Sequence, residues 1–92
     1  MTDTFHVAGS DEYQLAVDGA NFSRFGLQVE FGATARVFIG AAAPLKTTAN
    51  YVTLSYIGSR ELAASLASTD KVYVRSMEQL AKGVRGFRES RT

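Results

Sequence analysis

The chain has 92 residues, 46% of them hydrophobic and 21% charged, with a net charge of +1, a single His and no Cys or Trp. A domain of this size buries roughly 60–65% of the surface its unfolded chain exposes, so the core is thin, yet the composition is that of a folded protein. Without Cys, disulfide frameworks and thiolate metal sites are excluded; no apolar run approaches the length of a membrane-spanning helix, and the N-terminus lacks the basic and apolar regions of a signal peptide, so a soluble cytoplasmic product is expected.

Six Phe, four Tyr, many Val and Ala, eight Gly and one Pro are residues of pleated surfaces and tight turns. The N-terminal third offers extended segments at residues 4–7 and 13–17, then turn signals at Asp18, Gly19 and Asn21. Residues 1–12 form either the first strand or an extended arm. In residues 27–31 the apolar side chains Leu27, Val29 and Phe31 alternate with Gln28 and Glu30, as in a half-buried strand. Gly32 and Ala33 read as a short turn into a second extended run at 34–39, so the pair reads as a β-hairpin.

Residues 41–50 form the longest stretch without strand character, a candidate arm onto a neighbour or a crossover. Another strand is expected at 51–57 with Val52, Leu54 and Tyr56 facing inward, closed by Gly58 and Ser59. Residues 60–67 are ambiguous. Leu62 and Leu66 are four apart, as on a helix, and Ala favours helix, but tight turn signals bound the segment and a strand suits its neighbourhood, so a strand is expected. After the turn at Ser68, Thr69 and Asp70, residues 71–76 alternate cleanly with Val72 and Val74 on one face. A loop or single helical turn at 77–82 precedes a last strand from Gly83 to Arg88.

Seven or eight short, mostly antiparallel strands at this spacing predict an all-β fold, a single β-sandwich over residues 1–92 of Ig-like or jelly-roll-like kind. Charge is unevenly spread along it. Residues 1–23 carry Asp3, Asp11, Glu12 and Asp18 with no Lys or Arg, whereas residues 71–92 carry six basic side chains against two acidic ones. Such polarity fits a nucleic-acid contact, a head-to-tail contact between copies, or two neighbouring strands attracting one another.

Chemistry is sparse. His6 alone lacks the partners of a triad or a His-based zinc site, and Glu30, Glu61, Asp70 and Glu78 are scattered without a spacing that pairs two on one face. Neither a dinucleotide nor a Walker glycine pattern occurs, and Gly83 and Gly86 read as turn or bulge glycines. No catalytic, metal or cofactor site is therefore expected. Arg85, Phe87, Arg88 and Arg91 interleave cations with an aromatic, as single-strand-binding surfaces do, but Arg88 falls opposite Arg85 and Phe87 in a strand; a solvated, protected edge is the expectation, with neither nucleic acid nor membrane as partner.

Two runs, GATARVFIGAAAP at 32–44 and STDKVYVRS at 68–76, resemble segments of small β-sandwich virion proteins of tailed bacteriophages. The resemblance covers residues 27–88. It implies a repeated, non-catalytic building block of the virion, assembled in the bacterial host cytoplasm: a capsid decoration protein or a tail or head-to-tail junction subunit, with capsid, portal or tail proteins and further copies of itself as partners. Unlike one-domain phage adhesins, the chain has no Trp cluster. Phe22, Phe25, Tyr51 and Tyr56 are the candidate interface anchors, since Phe and Tyr are enriched in interface cores, with Arg85, Arg88 and Arg91 as charged candidates beside them. The alternative is a free-standing binding module for glycan or single-stranded nucleic acid, the latter with steep salt dependence.

Overall fold

Segments of alternating apolar and polar residues become eight strands: β1 (Thr2–Val7), β2 (Gln14–Asp18), β3 (Phe22–Val29), β4 (Thr34–Gly40), β5 (Val52–Ser55), β6 (Glu61–Ser65), β7 (Lys71–Ser76) and β8 (Val84–Ser90). They are seen in a computed structural model that describes residues 2–29, 34–45, 47–55, 58, 60–76 and 83–91. The expected turn at Gly32 and Ala33, the anchor candidate Tyr56 and the segment 77–82 lie outside the described residues.

The strands form two antiparallel four-stranded sheets, sheet A in the order β1-β8-β3-β6 and sheet B in the order β2-β7-β4-β5. The pairings are nested: β1 with β8, β2 with β7, β3 with β6, β4 with β5. The chain thus resembles one long hairpin, folded at residues 41–50 and wrapped so that successive pairs fall alternately in the two sheets. Joined by β3·β8 and β4·β7, this is jelly-roll rather than Ig-like connectivity. Pairing the first strand with the last also makes the contacts long-range, which predicts slow folding for so small a domain.

Between the sheets, Phe25, Leu27 and Val29 of β3 meet Val17, Val37, Leu54, Val72 and Val74 of sheet B, each at most 2% exposed. Burying side chains of this size is worth roughly 1.5–3 kcal/mol each, so β3 and β7 supply much of the stability. β6 is a strand, as expected. A spacing of four suits either period, and here Leu62 and Ala64 both turn inward against the core. The Leu66 N–H continues the seam by donating to Ser23 O at 2.8 Å.

The hairpin expected over 27–39 is not present: β3 lies in sheet A and β4 in sheet B, and the two do not pair. Residues 2–12 lie on the sandwich. β1 pairs along its length with β8, and the following segment is tied to sheet B by the Ser76 N–H donating to Ser10 O at 3.0 Å and by Arg75 on Asp11. Acidic head and basic tail are therefore neighbours within one molecule, the third of the readings that the charge pattern allows.

Candidate functional site

The basic C-terminal residues divide by strand parity. Arg88 shares an inter-strand position with buried Phe25, so it starts from the inner face of β8. Its guanidinium lies 4.9 Å from the Phe5 ring centroid and 4.6 Å from that of Phe22, and it donates to Asp3 Oδ1 at 3.4 Å and to Ala16 O, in the opposite sheet, at 3.3 Å. Stacking satisfies the flat faces of the cation and the two acceptors take its edge, so Arg88 ties the two sheets together. Arg91 donates to three carbonyls, Gly19 O at 2.8 Å, Phe22 O at 3.2 Å and Leu66 O at 2.6 Å. Both side chains are committed inside the fold.

The anchor candidates fare unevenly. Phe25 is fully buried and belongs to the core, which corrects its reading as a surface anchor: its parity is that of Leu27 and Val29. Phe22 is half-buried beneath Arg88. Tyr51 is half-buried on the outer face of sheet B, where the Arg36 guanidinium stacks 4.3 Å from its ring centroid. Only Arg85, among the charged candidates, stands on an exposed outer face.

Arg85 leads to a feature that strand-by-strand reading missed. Register aligns His6, Arg85, Gln28 and Glu61 in one row across the outer face of sheet A, and Thr4, Phe87, Gly26 and Ala63 in the row two residues along. Between the rows runs a groove of about 680 Å³, floored by the intervening residues of all four strands. Gly26 explains its shape. A Cβ there would come within 2.2 Å of the Phe87 ring, so only glycine lets the ring stand over the β3 backbone. Thr4 and Ala63 keep the flanks low.

The row mixes a cation, an anion, an amide and an imidazole, offering donors and acceptors in equal measure. His6 and Glu61 occupy the two edge strands, three strand spacings or roughly 14 Å apart, whereas acid and base groups acting on one glycosidic bond stand roughly 5–9.5 Å apart. His6 and Glu61 therefore do not stand at the spacing of an acid and a base working on one bond. Among the described residues no three His, Asp or Glu side chains converge as a metal ion would require.

Sheet B carries an aromatic layer on its outer face. Tyr13 meets Phe38 edge-on at 6.4 Å between centroids, with Tyr73 of β7 opposite Phe38 in register, and residues 43–45 close over Tyr13. The buried Tyr13 hydroxyl finds no partner among the described residues. Burial raises its pKa above the usual tyrosine value, against the opposing pull of Arg36 and Arg75. The neutral phenol is therefore the form the fold favours. Its contribution is complete below about pH 10 and is lost as pH rises through the raised folded value. Tyr13→Phe is expected to stabilise the protein by about 1 kcal/mol at pH 7, by removing an unsatisfied hydroxyl, and to lessen the loss of stability above pH 10. Urea unfolding of both proteins at pH 7 and pH 10.5 checks this; equal or lower stability of the variant at both would contradict it.

No family model, curated protein or solved structure matches the chain, so its function rests on the chemistry of these surfaces.

Proposed function

We propose that the chain is a non-enzymatic structural subunit that works by packing against other proteins. The observation that carries this reading is the placement of exposed apolar side chains. Leu15, Ile39, Leu45 and Val52 are 50%, 42%, 80% and 49% exposed, and all four belong to sheet B or to the loop between β4 and β5. Ile39 and Val52 stand in register with core Val72 and Val37, and Leu15 with Tyr73 on the outer face, so these side chains are exposed around sheet B and its loop without sharing one face. Exposed apolar side chains are what a protein interface uses, and a thin core without disulfides gains stability when subunits bury surface on one another.

The virion resemblance supplies the setting: a capsid decoration protein or a tail or head-to-tail junction subunit, in repeated copies, with capsid, portal or tail proteins as partners. The internal commitment of Arg88 and Arg91 favours this over a nucleic-acid-binding module, because a phosphate-tracking groove needs cations free to meet the backbone. Co-sedimentation with purified virions tests the setting. The wild-type protein is expected to pellet with particles and Leu45→Asp to remain in the supernatant. Failure of the wild type to pellet with either heads or tails would remove the virion reading.

A further inference from the structure

We infer that the groove across sheet A is a binding site for a neutral saccharide, a role that goes beyond assembly and uses the other sheet. The inference rests on the pairing of one aromatic ring with one polar row. Phe87 is half-buried, its ring over Gly26, with Thr4 and Ala63 beside it in its row and the Arg24–Glu89 ion pair in the row beyond. An aromatic face of this kind receives the C–H face of a pyranose, whose slightly positive hydrogens meet the negative face of the ring quadrupole.

A sugar's hydroxyls are each donor and acceptor at once and need a mixed set of partners at the rim. The adjoining row supplies one: Arg85 donates, Glu61 accepts, and the Gln28 amide does both, with the His6 imidazole at the end of the row. Charge selects the ligand class further. One cation and one anion in the row cancel, so a polyanion such as a nucleic acid would meet Glu61 and a cationic ligand would meet Arg85, whereas an uncharged polyol meets no like charge. The volume of about 680 Å³ lies within the range of small-ligand sites, and a groove spanning four strands has length for more than one sugar ring. Rigid strands rather than loops hold every one of these side chains.

The test is a titration of the ¹⁵N-labelled full chain with cellobiose, maltose, lactose and diacetylchitobiose, followed by amide shifts. Binding by at least one sugar is expected, with shifts confined to residues lining the groove, Gly26, Gln28, Glu61, Arg85 and Phe87 foremost. Phe87→Ala is expected to weaken that binding about tenfold or more while Phe87→Trp preserves it. Should Phe87→Ala fail to fold, Gln28→Ala and Glu61→Gln, both at exposed positions, carry the test and are expected to weaken binding several-fold. The assignment is overturned if none of the four sugars shifts the groove, if the shifts map elsewhere, or if a single-stranded oligonucleotide occupies it in their place.

Discussion

Gly86→Ala is expected to cost about 3 kcal/mol or more, because the added methyl group meets backbone in the middle of sheet A. A Cβ at residue 86 would lie 1.9 Å from Gly26 O and 3.0 Å from Gly26 C. Neither atom is the end of a flexible side chain. Both belong to the backbone of β3, whose Phe25, Leu27 and Val29 anchor the core, so relieving the clash means separating β8 from β3 or shifting β3 against sheet B. Either movement opens close-packed surface and disturbs sheet A at its centre. Gly58→Ala is the control, because a Cβ there meets nothing within 4 Å, and its effect is expected to stay within about 0.5 kcal/mol. Urea midpoints at unchanged slope would measure both; similar midpoints for the two variants would show that β3 and β8 do not approach as described.

Arg91→Ala is expected to lower stability by about 3 kcal/mol, a large effect for a residue one place from the chain's end. The guanidinium gathers the carbonyls of Gly19 in the β2–β3 turn, Phe22 at the start of β3 and Leu66 just after β6, while the Arg91 N–H donates to Asn21 O at 2.9 Å. Hydrogen bonds from a charged donor contribute about 1.5–3 kcal/mol each, and the loss falls short of their sum because water can reach the carbonyls once the side chain is gone. Arg91→Lys is expected to recover less than half of the loss, since three acceptors in different directions suit a planar fork and not a single ammonium. Thermal unfolding separates the cases: about 4–8 °C is expected per kcal/mol in a domain of this size. A Lys variant as stable as wild type, or an Ala variant unchanged, would contradict the clamp.

Strand content was legible because each strand repeats its pattern locally. Val72 and Val74 alternate with Tyr73 and Arg75, Leu27 and Val29 with Gln28, and these alternations survive in the fold. Phe25 was legible too, on the same parity as Leu27, and reading it as a surface anchor ignored that signal. The hairpin over 27–39 failed for a different reason. Alternation marks which face of a strand is buried but not which sheet the strand joins, and in a wrapped fold consecutive strands cross between sheets. The groove was illegible for the same reason at larger scale: His6, Arg85, Gln28 and Glu61 meet only through the register of four strands drawn from both ends and the middle of the chain. One local hint existed, a glycine at position 26 inside a strongly alternating strand, which signals that something approaches the backbone closely. Arg88 and Arg91 show the converse. Their density near the C-terminus suggested a charged surface, and long-range acceptors on Ala16, Gly19 and Leu66 turn them into internal ties.

Assembly through the exposed apolar side chains of sheet B and the β4–β5 loop is the central claim, and molar mass by light scattering across a concentration series tests it most directly, on the wild-type chain and on Val52→Asp and Leu45→Asp. Mass that rises with concentration in the wild type and stays at one chain in both variants is the result predicted here. A wild-type protein that remains a monomer at every concentration, or variants that associate as the wild type does, would contradict it.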